Sequence, residues 1–89
     1  MPKVRIYSTR VCPYCHMAAR LLQSKGVQYE QIYVDIAPEK RQEMLRLANG
    51  STTVPQIFID DYHVGGYREL ARLDLAGELD GLLGSAEAS

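Results

Sequence analysis

The stretch Cys12–Cys15, with the sequence CPYC, determines how the rest of the chain is interpreted. It holds both cysteines of the protein. The short apolar run Val4–Ser8 precedes it and favours a β-strand, whereas Met17–Lys25 follows it with the apolar spacing of a helix. A C-x-x-C pair at such a strand-to-helix junction is typical of a redox site. We therefore interpret the two thiols as one dithiol centre.

The composition is that of a single globular domain. The chain has 89 residues, of which 46% are hydrophobic and 24% charged, and its net charge is -1. This charge gives no bulk attraction to nucleic acid, and no apolar run is long enough to cross a bilayer. We therefore expect neither a nucleic-acid nor a membrane partner.

The cysteine content bears on the cellular setting. Two cysteines are too few for the framework of a small secreted domain, and no signal-peptide pattern opens the chain. These observations predict a reducing, cytoplasmic environment. We further predict a monomer with one domain at residues 1–83 and a flexible C-terminal tail at residues 84–89.

Apolar runs and turn-forming residues follow one another in the order β-α-β-α-β-β-α. The predicted elements are strand Val4–Ser8, a helix from Pro13 to Lys25, strand Tyr29–Ile36, a helix from Pro38 to Ala48, strands Gln56–Ile59 and Tyr62–Val64, and a helical region Tyr67–Leu83. Asp60-Asp61 is predicted as a hairpin turn, and Asp74 and Gly77 predict a bend in the last region. Short crossovers make the first two strands parallel, and the hairpin adds two antiparallel strands. The expected fold class is α/β, with one mixed four-stranded sheet and helices on both faces.

Each helix and the second strand have an apolar face that we expect to be buried. These faces consist of Met17, Ala18, Leu21 and Leu22 in the first helix, Ile32, Val34 and Ile36 in the second strand, Met44, Leu45, Leu47 and Ala48 in the second helix, and Leu70, Leu73, Leu79, Leu82 and Leu83 in the last helical region. Gly26 and Asn49-Gly50 are expected to end the first two helices.

The two cysteines occupy different positions relative to the first helix. Cys12 lies at its N-terminal edge, where unpaired backbone N–H groups and the helix dipole stabilise an anion. The thiolate is the nucleophile in thiol–disulfide exchange, so we predict that Cys12 attacks. Cys15 lies one turn further in and is expected to be more buried, which suits the thiol that resolves the intermediate. Tyr14 is expected to be exposed beside a bound substrate.

Other uses of the cysteine pair remain open at this point. Cys12–His16 matches the C-x-x-C-H pattern of haem attachment, but that use needs a mostly helical fold and an axial ligand such as Met44. Two thiolates are also half of a tetrahedral zinc or iron–sulfur set. The chain has no second cysteine pair, so such a site would need His16, an outside thiol or a second chain. We predict no metal and no bound cofactor.

The chain resembles the dithiol glutaredoxins, and in particular their small bacterial class. The resemblance spans about Lys3–Leu83 and rests on Cys12–His16, on Thr52–Ile59 and on Gly65-Gly66 before a helix. It implies a thioredoxin fold and glutathione-dependent reduction of protein disulfides and glutathione mixed disulfides. Glutathione would be a co-substrate, and the other partners would be client proteins that carry a disulfide or a glutathione adduct.

The resemblance also implies where glutathione binds. It implies a cis Val54-Pro55 bond facing the cysteines, with the Val54 backbone paired to the cysteine residue of glutathione. The γ-glutamyl carboxylate would lie on the N–H groups of Tyr67 and Arg68, at a helix start. The implied glutathione-binding residues are Arg10, Tyr14, Thr53, Val54, Pro55, Gly66, Tyr67 and Arg68.

Two positions depart from the family pattern. Thr9 stands where relatives usually carry lysine, and we expect Arg10 to supply the missing positive charge. Arg68 stands where relatives usually carry an acid that contacts the glutathione amine, and Glu69 is expected to substitute for it. Two alternative functions stay open: a glutaredoxin that bridges an iron–sulfur cluster, which Pro13 disfavours, and a thioredoxin-type reductant, which usually has Gly-Pro between its cysteines.

Overall fold

The computed structural model describes residues 2–84, and its elements follow the predicted order. They are β1 Val4–Ser8, α1 Pro13–Ser24, β2 Glu30–Tyr33, α2 Pro38–Leu47, β3 Gln56–Ile59, β4 Tyr62–Gly65, α3 Tyr67–Leu75 and α4 Leu79–Leu83. The predicted tail at residues 84–89 lies outside the described residues, apart from Gly84. No helix within residues 2–84 has the length and apolar character needed to span a bilayer.

One mixed four-stranded sheet organises the fold, as predicted, and its strand order is β2-β1-β3-β4. β1 pairs in parallel with β2 and antiparallel with β3, and β3 pairs antiparallel with β4. The end of β1, the start of β3 and the end of β4 therefore meet at one edge of the sheet. This edge carries the turn into α1, the loop before β3 and the turn into α3. A sheet of this kind is not the mostly helical fold that haem attachment would need.

The sheet has a buried core on each face, because neighbouring residues of a strand point to opposite sides. Ile6 of β1 packs in a cluster with α1, α3 and α4. Tyr7, the next residue, packs in a second cluster against α2, with Met44 and Ala48. Helices thus cover both faces, as the sequence predicted.

β2 is shorter than predicted. It ends at Tyr33, where its parallel partner β1 ends at Ser8, and the Val34 N–H still donates to the Ser8 carbonyl at 2.8 Å. Beyond that bond β1 offers no further partner, so the chain turns. Ile36 is consequently 58% exposed rather than buried beside Ile32 and Val34.

Two predicted core residues of the helices are also exposed. Met17 lies outside the buried stripe of α1, which consists of Cys15, Ala18, Ala19 and Leu22. Leu47 likewise lies beside the buried positions Met44 and Ala48 of α2. The buried positions of α1 are spaced three or four apart, whereas in α2 only Met44 and the C-cap residue Ala48 are fully buried, so in both helices the buried stripe is narrower than the apolar pattern.

The last helical region is two helices rather than one bent helix. Gly77, with a φ of +74°, separates α3 from α4, and the Glu78 N–H donates back to the Leu73 carbonyl at 2.9 Å. The predicted break point is therefore correct, and it separates two helices instead of bending one. The hairpin turn is as predicted, with Asp60 at a φ of +53°.

Candidate active site

Cys12 is the N-cap of α1. Its backbone is extended, Pro13 opens the helix after it, and the Cys15 N–H donates to Cys12 Sγ at 3.2 Å. The His16 N–H donates to the Cys12 carbonyl at 3.1 Å and closes the first turn. A helix N-terminus and a direct N–H donor both stabilise negative charge on the sulfur. The position predicted for Cys12 is thus the observed one.

The two thiols are free and differ in burial. Cys12 is 8% exposed, whereas Cys15 is completely buried. Burial, together with the hydrogen bond to Cys12, raises the pKa of the Cys15 thiol to about 11. Cys15 therefore keeps its proton at neutral pH, and Cys12 is the thiol that an outside disulfide can reach.

A groove of about 830 Å³ lies beside this centre. Its lining residues come from the first turn of α1, the loop before β3, and α3: Tyr14, Thr53, Val54, Pro55, Gly66, Tyr67, Arg68, Glu69, Ala71, Arg72 and Leu75. Seven of the eight residues that the resemblance implied for glutathione are in this set. Ala71, Arg72 and Leu75 were missed by the sequence reasoning, although Arg68, Arg72 and Leu75 have the spacing of one exposed helix face.

The loop before β3 lies against Cys12. The Val54-Pro55 bond is cis, as the resemblance implied, and the Val54 carbonyl oxygen is 3.9 Å from Cys12 Sγ. Pro55 is buried, whereas Val54 is half-buried and faces the groove. Val54 therefore connects the groove to the Cys12 sulfur.

Gln56, a residue that the sequence reasoning did not single out, holds this loop. It is only 3% exposed, and its Nε2 donates to Ser51 Oγ at 2.9 Å, to the Thr53 carbonyl at 2.9 Å and to Thr53 Oγ1 at 3.1 Å. Its Oε1 lies 2.6 Å from His63 Nε2, and the His63 ring stacks on Phe58. A glutamine at the start of the apolar strand Gln56–Ile59 was the signal, because a buried polar group needs partners.

Two tyrosines form one edge of the groove. Tyr14 follows Cys12 on α1, and Tyr67 opens α3; their rings stack with centroids 6.2 Å apart and an angle of 30° between the planes. Tyr14 is 61% exposed, as expected. The pair gives the groove an aromatic wall that joins the first turns of two helices.

Arg10 does not line the groove. Its Nε is 2.9 Å from Asp35 Oδ2, and its backbone N–H donates to the same oxygen at 3.3 Å. The hydrogen bond from Arg10 lowers the pKa of the Asp35 carboxyl. Arg10, which was expected to replace the missing lysine, is thus paired with Asp35 and is not among the residues that line the groove.

The carboxylate of Glu69 also has a hydrogen-bond partner within the protein. Its Oε1 accepts a hydrogen bond from the Gly66 N–H at 2.8 Å and so caps the start of α3. A Cβ on Gly65, whose φ is +110°, would lie 3.1 Å from the same oxygen. The carboxylate expected to substitute for the missing acid at position 68 thus contributes to the helix start instead.

The part of the chain that the structure describes contains no group of three or more His, Cys, Asp or Glu side chains that could hold a metal ion. The centre that the geometry does assemble is a pair of thiols. It combines an N-capping thiol and a buried second thiol one turn behind it, with the groove beside them.

Comparison with known proteins gives a consistent result. The glutaredoxin family model matches residues 4–64. A glutaredoxin of Pseudomonas aeruginosa is 55% identical over 83 residues, covering 93% of this chain and 98% of that protein, and glutaredoxin 3 of Escherichia coli is 51% identical over 83 residues, covering 93% and 99%. The crystal structure of a buckwheat glutaredoxin–glutathione complex matches with a TM-score of 0.84 at 26% identity, covering 98% of this chain and 81% of that one. These likenesses confirm the predicted thioredoxin-like fold and do not favour the cluster-bridging or thioredoxin-type alternatives.

Proposed function

The chain belongs to the glutaredoxin family of thiol–disulfide oxidoreductases, and from that premise we propose that its dithiol reduces protein disulfides and glutathione mixed disulfides with electrons from glutathione. The observation that carries the proposal is the arrangement of Cys12. Its sulfur caps α1, accepts a hydrogen bond from the Cys15 N–H at 3.2 Å and lies 3.9 Å from the carbonyl oxygen of Val54, a residue that lines a groove large enough for a peptide.

The first step uses Cys12. Its thiolate attacks one sulfur of a client disulfide, a new S–S bond forms as the old one breaks, and the departing client thiolate takes a proton from solvent. With a glutathione mixed disulfide, the same attack on the glutathione sulfur releases the client thiol and leaves Cys12 bound to glutathione. A second glutathione thiolate then releases glutathione disulfide and restores the Cys12 thiolate.

The second step of protein disulfide reduction uses Cys15. Burial is the largest cause of the raised pKa of Cys15, and the hydrogen bond to Cys12 and the charge on Cys12 add to it. Once Cys12 is bound in a mixed disulfide, its charge is gone, so the Cys15 thiol loses its proton more easily. The Cys15 thiolate then attacks Cys12 Sγ, releases the second client thiol and forms the Cys12–Cys15 disulfide. Two molecules of glutathione reduce this disulfide and become glutathione disulfide.

The groove supports a glutathione site along the cis-proline loop. The Val54 carbonyl lies 3.9 Å from Cys12 Sγ, which supports a pairing of the Val54 backbone with the cysteine residue of glutathione. The γ-glutamyl carboxylate would lie on the N–H groups of Tyr67 and Arg68 at the start of the nine-residue helix α3. Because Glu69 caps the helix, we propose that the γ-glutamyl amine has no carboxylate partner here. The monomeric state and the cytoplasmic location stay predictions.

Two cysteine variants test the proposal. Cys12→Ser should abolish glutathione-dependent reduction of both a small glutathione mixed disulfide and a disulfide-bonded protein, because the attacking sulfur is gone. Cys15→Ser should retain the first activity and lose most of the second. Both are measured by coupling to glutathione reductase, with thioredoxin reductase in a parallel assay as the control for a thioredoxin-type reductant. Equal losses of the two activities in Cys15→Ser would contradict the division of roles.

A further inference from the structure

The far end of the groove has a charge that the proposed glutathione site does not use. Arg72 and Leu75 line the groove beyond Arg68 on α3, and Leu75 is 89% exposed. Both arginines are exposed, and within residues 2–84 neither forms a salt bridge. The one acid in the lining, Glu69, accepts a hydrogen bond from the Gly66 N–H.

From this arrangement we propose that the α3 wall of the groove, formed by Arg68, Arg72 and Leu75, docks an acidic, extended segment of the client protein next to its disulfide. The proposal rests on the proposed function, since the client must reach Cys12 through the same groove. Two unpaired guanidinium groups on one wall favour carboxylates, and Leu75 supplies an apolar contact at the outer end.

The spacing of the arginines matches an extended chain. Four residues along a helix correspond to a rise of about 6 Å, which separates Arg68 from Arg72. In an extended peptide, side chains two positions apart point to the same side and lie about 6.5 Å apart. Two acidic residues separated by one other residue would therefore meet both arginines at once, and Leu75 would lie about 4.5 Å of helix rise further on.

Cyclic disulfide peptides of one design test this docking. They carry Glu-Ala-Glu, Gln-Ala-Gln or Lys-Ala-Lys on both flanks of the cysteine pair, and reduced protein in excess reduces them before an acid quench. In the wild type we expect the Glu peptide to react about threefold faster than the Gln peptide and the Lys peptide to react slowest. High salt should remove the differences, because exposed ion pairs are screened.

The Arg72→Glu substitution should slow reduction of the Glu peptide by about three- to tenfold and accelerate reduction of the Lys peptide. The rates of the Arg72→Gln variant should lie between those of the wild type and Arg72→Glu. Arg46→Glu is the matched control: it makes the same charge change on α2, on the opposite face of the sheet. It should leave the order and rates of the peptides unchanged. Reduction of the uncharged bis(2-hydroxyethyl) disulfide by the same excess of reduced protein should be unchanged in all of these variants.

Three results would overturn the docking surface: equal rates for the three peptides in the wild type, equal effects of Arg72→Glu and Arg46→Glu, or an equal loss with the hydroxyethyl disulfide. Failure of the proposed function has a different signature. In that case the wild type would reduce neither the peptides nor the small glutathione mixed disulfide.

Discussion

The Gln56→Leu substitution should loosen the loop that lines the groove while leaving both cysteines in place. Leucine fills a similar volume, but it cannot donate to Ser51 and Thr53, which Gln56 Nε2 contacts at 2.9 to 3.1 Å. It also leaves His63 Nε2 without its 2.6 Å partner. The loop that carries Val54 to within 3.9 Å of Cys12 would then be held mainly by its chain connection to β3.

The size of the destabilisation depends on whether water can reach the groups that lose Gln56 as a partner. A hydrogen bond contributes about 1 kcal/mol net, and a partner left unpaired costs more only if water cannot reach it. Ser51 is half-buried, and Thr53 and His63 are exposed, so their freed groups can rehydrate. We therefore expect a loss of about 2 kcal/mol in the free energy of unfolding. For a domain of this size that corresponds to a decrease in Tm of about 8–16 °C.

Thermal unfolding and steady-state kinetics test this together. The KM for glutathione should rise and kcat/KM should fall by about tenfold, because the loop no longer presents Val54 in a fixed position. Gln56→Glu separates the contacts: it keeps an acceptor for His63 and loses the donors to the loop, so it should show the same rise in KM. Gln23→Leu, which removes one exposed hydrogen bond to Tyr29 OH, is the matched control.

The reasoning about Gln56 is refuted if Gln56→Leu and Gln23→Leu are alike in both Tm and KM. A decrease in Tm with an unchanged KM would refute the link between the loop and glutathione binding.

Two further predictions concern the thiol pair and the start of α3. Burial raises the pKa of Cys15 to about 11, above that of an ordinary thiol, so its contribution to stability is present below about pH 8.5 and is lost as the pH rises towards 11. In denaturant titrations under reducing conditions, the wild-type free energy of unfolding should therefore fall over this pH range. The Cys15→Ser variant should lack that part of the fall. Gly65→Ala should destabilise the protein by about 1–3 kcal/mol in the same titrations, because its φ is +110° and the new Cβ would lie 3.1 Å from the capping oxygen of Glu69. Gly66→Ala, where the φ is -94° and the nearest atom is at 3.4 Å, is the control and should change stability much less.

Local features were predicted well because their causes are local. The position of Cys12 follows from the residues on either side of it: a strand ends at Ser8, and Pro13 can only open a helix. The helix break at Gly77 and the turn at Asp60 also follow from residues that adopt a positive φ. No distant partner is needed to explain any of these.

Two departures from the sequence predictions depend on a partner far along the chain. β2 ends early because β1 ends at Ser8, and Ile36 is exposed for that reason. Arg10 is drawn to Asp35, which is 25 positions away. Neither pairing has a pattern in the sequence around either residue, so periodicity and spacing could not reveal it.

The site itself depends on how the strands are ordered rather than on any one motif. Cys12 and Val54 are 42 positions apart, and they meet because β1 and β3 pair antiparallel with Tyr7 opposite Gln56. That register also places the buried amide of Gln56 directly behind the loop that it holds. A slip of one residue would turn Gln56 to the other face of the sheet and free Val54 from Cys12. The antiparallel β1–β3 pairing is therefore the part of the fold on which the chemistry of the first sulfur most directly depends.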